Sequence, residues 1–330
     1  MKIEDIENKI NVSNFKYEDF NFWPIIKLKF IQKVRLENRM NKFSTDKKNL
    51  ILKLLSFFIS FYKYTRNRIS KEKIDILYLT RSSDYTKKPN NEVFNQYVDP
   101  MLNFVGEELK IKILEINNIN KQASKNLKND NINLDFVAKY SILKAKIKRL
   151  LRINKILTDI DFLKKNLDLN NLENELSIIS GYSKEFEKIL KKLKPKAVYI
   201  ICFYDLPSFA MSLACHRLKI KVIEYQHGFL NDYNNMYTNW KNLPNHGFEL
   251  LPDIFWVWAE DNAKKINKWS SKTTKHKAIV GGNIYLSYRS KLAKFEKKEN
   301  ISKKKNILVV LQFTELPEFF INYLKKNKDN

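Results

Sequence analysis

The sequence predicts an α/β fold: one mainly parallel sheet with helices on both faces. Three observations predict it. Short apolar runs of strand length recur, such as residues 197–203 (AVYIICF), and they are continuous, as expected of strands covered on both faces. Segments with helical spacing separate them, for example Phe209, Ala210, Leu213, Ala214 and Leu218. Strand, helix and strand then fit within about 30 residues, the size of a βαβ crossover, which makes the joined strands parallel. The architecture expected is a Rossmann-like parallel sheet with a helical N-terminal extension and only the start of a second Rossmann-like domain.

Residues 1–70 read mostly as helix, with an aromatic cluster of Phe20, Phe22 and Trp23 ahead of Pro24. The run 50–62 (LILKLLSFFISFY) is the most apolar early stretch, but its 13 residues are too few to span about 30 Å of hydrocarbon as a helix. It reads either as a buried helix or as one lying in a membrane interface, because Lys47, Lys48, Lys63, Arg66 and Arg68 flank it. Strands follow at 74–80 (IDILYLT) and 110–116 (KIKILEI), the first ending in a polar loop over 81–91. Residues 117–195 carry helical spacing, with loops expected near 129–133 and at Gly181.

Asp205 and Pro207 open the next helix. Strands are expected at 219–225, 254–258 and 277–280, with a helix over 260–269. A lysine-rich connection, 291–305, reads as a linker before a strand at 306–311 (NILVVL) and a final helix over 317–326. The expected domains are therefore 1–70, 71–290 and, after the linker, 306–330, which is too short to be more than the beginning of a second domain.

The 330 residues carry a formal charge of +25, yet the lysines are spread along the whole chain. No zinc-finger spacing or aromatic RNA-binding motif accompanies the charge, so no specific nucleic-acid partner is expected. Attraction to an anionic membrane surface or to phosphorylated substrates explains it equally well. The two cysteines, Cys202 and Cys215, sit in apolar segments without metal-ligand spacing and read as core residues of a reducing compartment. The N-terminal MKIEDIENKI has no apolar core of the kind a secretory leader needs, so a cytoplasmic location is expected, peripheral on the inner membrane face if the interfacial helix holds.

The stretch EYQHGFLND, 224–232, draws attention because a histidine and a glycine stand together immediately after a strand. Open parallel sheets bind ligands outside the carboxyl ends of their strands. His227 falls at such an end and Asp205 just after the preceding strand. An imidazole titrating near neutrality can take a proton from a sugar hydroxyl, and a carboxylate can orient it. Gln226, Gly228, Arg81, Ser82, Gly282 and Asn283 follow strands on the same edge and are the expected substrate-binding residues. The bland alternative is a structural histidine at a turn. Clustering weighs against it: four of six glycines lie between 228 and 282, and four of five tryptophans between 240 and 269.

The series YQHG, LPDIFWVWAED (251–261), VGGNIYL (280–286) and NILVVLQ, with WPIIK (23–27) and NQYVDPM (95–101), resembles bacterial surface-polysaccharide glycosyltransferases of the GT-B fold. It is similar also to the glycerophosphotransferases of teichoic acid synthesis. The resemblance implies transfer of a sugar from a nucleotide donor to a glycan or lipid-linked acceptor, in capsule or lipopolysaccharide synthesis. It implies His227 as the catalytic base; in that scheme Asp205, placed by its strand end, orients the ring, and neither metal nor bound cofactor is required. Ile284 stands where that family would carry proline. The family's donor nucleotide is held mainly by a C-terminal domain that would stop here at Asn330, so a non-catalytic glycan- or membrane-binding protein stays open. So does a polyol-phosphate transferase with a CDP-linked donor.

Overall fold

The computed structural model describes residues 7, 10–37, 50–65, 69, 71–87, 93–105, 108–116, 130–132, 134–151, 167–232, 234–293 and 318–326. A small hairpin, β1 (Lys16–Tyr17) and β2 (Phe20–Asn21), leads into α1 (Trp23–Glu37) and then α2 (Leu50–Thr65). Strand β3 (Ile76–Arg81) runs into a one-turn 3-10 helix, Ser82–Asp84, and the hairpin β4 (Tyr85–Lys87) and β5 (Val93–Asn95). After these come α3 (Val98–Val105), β6 (Ile111–Ile116), β7 (Asp130–Ile132), α4 (Asp135–Leu150) and α5 (Leu169–Leu193). The remainder is β8 (Ala197–Ile200), α6 (Leu206–Leu218), β9 (Lys221–Tyr225), β10 (Ile254–Val257), α7 (Glu260–Ser270), β11 (Lys277–Val280), α8 (Ile284–Ala293) and α9 (Glu318–Lys326).

Seven strands form one sheet in the order β11-β10-β9-β8-β3-β6-β7, and every neighbouring pair is parallel. Counted along the chain this is 7-6-5-4-1-2-3, a Rossmann-like order whose direction reverses between β3 and β8. The six strands expected from the sequence are all present in it. The seventh, β7, was expected to be loop: three residues, Asp-Asn-Ile, are too short and too polar to stand out, and pairing with β6 makes them a strand.

The period-2 alternation of the strands sorts two layers. Leu77, Leu79, Leu114, Ile116, Val198, Ile200, Val222, Phe255 and Val257 face a large core shared with α1 and α4 to α7. On the opposite face, Tyr78, Ile113 and Tyr225 pack with Val98 and Met101 of α3 and with Ile284 at the start of α8. Helix α5 is continuous through Gly181, where a loop was expected. A Cβ there would come within 2.2 Å of the Ser141 hydroxyl, so the glycine allows α4 and α5 to approach closely.

The chain divides into two compact units, 1–288 and 289–330. The first 70 residues belong to the first unit, and the buried ammonium of Lys27 ties them to it. Lys27 bonds Glu7 at 3.1 Å and the Asn239 carbonyl at 2.9 Å, and its ammonium lies 4.1 Å from the centre of the Trp240 ring. In the second unit α9 forms where the final helix was expected. The linker over 291–305 lies, from 294 on, outside the described residues, as do the strand at 306–311 and the flanking Lys47, Lys48, Arg66 and Arg68.

Candidate active site

Strand register places one carboxylate in an apolar row that runs over six strands, from β6 to β11, with Asp130 of β7 at its far edge. Leu114, Leu79, Ile200, Glu224, Phe255 and Ala278 stand side by side across the sheet, and of these six only Glu224 is polar. It is fully buried. Such a group is costly unless it is neutralised or paired. Its partners are the Tyr237 hydroxyl, which donates to Oε1, and His227, whose Nδ1 lies 3.5 Å from the same oxygen. Burial raises the Glu224 carboxyl above its usual range, and His227 and Tyr237 pull back against that.

His227 sits three residues on, past the end of β9, with its side chain 24% exposed. The Tyr237 hydroxyl lies 3.3 Å from Nδ1 and the Tyr204 hydroxyl 3.2 Å from Nε2, so the ring is held on both sides. Burial alone would depress the imidazolium. Hydrogen bonds to Cys202 and Glu224, with the charges those groups bring, outweigh it and push the ring up to about 10.

The second half of the site lies at the switch point. Arg81 ends β3, and Asp205 precedes α6 on the other side of the reversal; the two form an ion pair. The Arg81 guanidinium also donates to the Ser208 hydroxyl at 3.0 Å and the Cys202 carbonyl at 3.4 Å. Asp205 accepts from the Ser208 amide at 2.8 Å, capping α6. Asp84 accepts from the Arg81 amide at 2.8 Å; burial raises its carboxyl, and it feels the charges of Arg81, Asp205 and His227. The segment Cys202 to Asp205 thus bridges Arg81 to His227.

Several expectations change in detail. The carboxylate at the imidazole is that of Glu224, whereas Asp205 is engaged by Arg81 and by the helix it caps. Cys202 is half-buried beside His227 and only Cys215 is a core thiol. Gln226 is buried and braces the turn: its Nε2 donates to the Gly228 carbonyl, and its Oε1 accepts from the Trp258 amide, each at 2.9 Å. Gly228 has open space where a Cβ would stand, and the neighbouring Phe229 is 81% exposed. Gly282 has a φ of +78° and its carbonyl accepts from the Trp256 indole, while Asn283 caps α8 through the Leu286 amide. Both lie at the end of β11, on the carboxyl edge, and their bonds go to β10 and α8. Ser82 lies in the 3-10 turn after Arg81.

Glu224, Tyr237, Tyr204 and Asp84 escaped the sequence reading. A glutamate inside an apolar strand was the available signal for Glu224; Tyr237, in an aperiodic stretch, offered none. Among the described residues no group of three or more His, Cys, Asp or Glu is placed to hold a metal ion. Cavities of about 250 and 400 Å³ lie elsewhere, one beside α4 and α5 and the other at the amino ends of β9 to β11. Position decides for the carboxyl edge, because the switch point there gathers the paired and perturbed charges.

Fold and site define an α/β protein with an open parallel sheet and a charged ligand edge at its switch point. No protein-family model matches the chain. Over 64 residues it is 42% identical to the UDP-N-acetylglucosamine–N-acetylmuramyl-(pentapeptide) pyrophosphoryl-undecaprenol N-acetylglucosamine transferase of Caldicellulosiruptor saccharolyticus, covering 19% of this chain and 16% of that one. Among solved structures, UDP-GlcNAc 2-epimerase of Neisseria meningitidis, bound to UDP-GlcNAc, aligns at 18% identity and a TM-score of 0.34. The epimerase of Methanocaldococcus jannaschii aligns at 16% and 0.39. These alignments take in 68% of this chain, which spans about half the length of either epimerase.

Proposed function

We propose that this chain carries the acceptor-side domain of a nucleotide-sugar-dependent glycosyltransferase of the GT-B kind, acting in bacterial surface polysaccharide synthesis, for capsule or lipopolysaccharide. The observation that carries the reading is the His227–Glu224 pair, held by two tyrosines at the carboxyl edge beside the Arg81–Asp205 pair. The 64-residue likeness to an N-acetylglucosamine transferase supports the nucleotide-sugar part of the reading. In this reaction the acceptor hydroxyl loses its proton to His227, its oxygen bonds the anomeric carbon, and the bond to the donor phosphate breaks, releasing a nucleoside diphosphate. Glu224 stabilises the imidazolium that forms. Asp205 holds Arg81 toward the ligand edge, to which Ser82 and the backbone of Gly228, Gly282 and Asn283 also belong. A nucleotide donor fits work on the cytoplasmic side.

One observation favours a second role for the same ring. Pushed up to about 10, His227 is a cation at neutral pH, and a cation beside Arg81 suits the donor's diphosphate. The two roles oppose each other in pH. A base gains activity as pH rises toward 10, whereas a diphosphate-holding cation loses it over the same range.

The test is to present a panel of nucleotide sugars, UDP-N-acetylglucosamine first, and CDP-linked polyols to the protein. Saturation-transfer NMR reads binding, and release of nucleoside diphosphate reads transfer to glycan or lipid-linked acceptors. Binding of a nucleotide sugar that Arg81→Ala abolishes is expected. Binding of CDP-polyols alone would convert the reading to polyol-phosphate transfer, and binding of glycan without any nucleotide donor would end the catalytic reading.

A further inference from the structure

Two helices of the first unit wear their apolar residues on the outside. In α2 the exposed residues include Leu55, Phe58, Ile59 and Tyr62, spaced i, i+3, i+4, i+7, with Phe58 64% open to solvent. In α4, Tyr140, Leu143, Ile147 and Leu150 repeat that kind of stripe, and Leu150 is 83% exposed. A helix packed on a soluble core shows the reverse arrangement. The two stripes belong together. Phe57, Phe61 and Tyr64 of α2 pack their rings on Phe136 of α4 at 5.0–5.3 Å, and Phe136 stacks on Tyr140. Lys139 Nζ reaches from α4 to the Ser56 carbonyl at 2.9 Å.

Beside this face lies the cavity of about 250 Å³, whose lining includes Tyr140, Lys144, Lys148, Lys184 and Lys188. Glu18 and Glu185 line it too and neutralise the last two lysines, Lys184 with Glu18 and Lys188 with Glu185. Lys144 and Lys148 form no ion pair among the described residues. Tyr140 joins the cavity to the apolar stripe, so α4 presents apolar side chains along one line and ammonium groups along the next. That pairing fits an amphiphile with an anionic head.

We infer that α2 and α4 form a docking face for an anionic lipid bilayer, the stripes entering the acyl boundary and Lys144 and Lys148 meeting headgroup phosphates. This goes beyond the reaction proposed above and does not depend on it. Charge decides the occupant. A second copy of a chain with formal charge +25 would bring the same lysines against each other, whereas an anionic leaflet attracts them. Amphipathic helices of this kind lie in the interface plane without crossing it. Among the described residues, no helix is long and apolar enough to cross a membrane.

Flotation of the full chain with vesicles tests it, using phosphatidylglycerol–phosphatidylcholine mixtures against phosphatidylcholine alone, at low and high salt. Binding to the anionic vesicles that weakens with salt is expected. The double variants Leu143→Glu/Ile147→Glu and Lys144→Glu/Lys148→Glu should each lose on the order of tenfold in affinity, with unchanged circular dichroism. Leu150→Glu, at the most exposed position, serves where a double variant misfolds. Equal binding to neutral vesicles, or full binding by these variants, overturns the inference. So does a lipid-free dimer that Leu143→Glu dissolves, which would make the face an interface between copies. Binding of free glycerol phosphate without vesicle binding overturns it as well.

Discussion

The wholly buried carboxylate of Glu224 lies 3.5 Å from Nδ1 of His227, and Tyr237 touches both. The spacing of three residues bridges the end of β9: Glu224 points from the strand into the core face, and His227 returns over it from the turn. A buried charge facing a half-open ring stabilises the ring's protonated form. Linkage gives the sign for the ring. Its proton affinity is raised on folding, so its contribution to stability is complete below pH 6.5 and is lost as pH rises through about 10. Glu224 opposes this, since burial penalises its charged form.

The Glu224→Gln variant isolates the part that Glu224 plays in raising the ring, beside burial and Cys202. With the carboxylate gone, burial and the hydrogen bond to Cys202 remain, and His227 should titrate lower than in the parent protein. Histidine ring resonances followed by NMR across pH 5 to 11 read this directly. A parent ring that titrates near 6.5, or one that Glu224→Gln leaves unmoved, would remove Glu224 as its partner.

Asp205 has a structural duty and an electrostatic one, and substitution can part them. Asp205→Ala removes the α6 cap and should cost about 1 kcal/mol, read as a shift in denaturant midpoint. Asp205→Asn keeps a capping oxygen and should fold with nearly parental stability while losing the ion pair with Arg81. If Asp205→Asn binds nucleotide sugar as well as the parent, the Arg81–Asp205 charge pair has no part in the site.

The glycines of the edge should answer differently to alanine. Gly228 has open space around its missing Cβ, so Gly228→Ala should leave stability unchanged and weaken ligand binding by filling that space. Gly282 also has room, but its φ of +78° strains any L side chain, so Gly282→Ala should cost about 1 kcal/mol or more. Unchanged ligand affinity in Gly228→Ala would mean that no substrate approaches this turn.

The sheet was legible because its six longer strands are apolar runs, a signal that local sequence carries. β7 was not, since Asp130 and Asn131 disfavour strand and only the β6 edge recruits them. Gly181 read as a break because glycine weakens a helix; the close contact with Ser141 that requires it is tertiary. At the site, His227 and Arg81 were legible from their places after strands. The identity of the carboxylate was not: Asp205 and Glu224 both lie near strand ends, and only side-chain direction shows which one meets the ring. Pairing across strands cannot be read from spacing along one.

His276 offers a test of pH dependence away from the site. Its side chain is buried; Nε2 accepts from the Phe248 amide at 3.0 Å, and Nδ1 lies 2.7 Å from the Pro252 carbonyl, to which it donates. A second ring proton would face a donor and find no acceptor. Burial, reinforced by the charge of Lys275, depresses the ring to about 3. A depressed histidine contributes stability that is complete above the unfolded value near 6.5 and is lost as pH falls toward 3. The expected loss over that window is a few kcal/mol. Urea midpoints measured from pH 7 to 3 should therefore fall steeply. His276→Phe, less stable at pH 7 because the Phe248 amide loses its acceptor, should show a flatter slope over the same window. An equal slope in parent and variant would mean that His276 keeps an ordinary proton affinity, and that the acid limb belongs to the carboxylates instead.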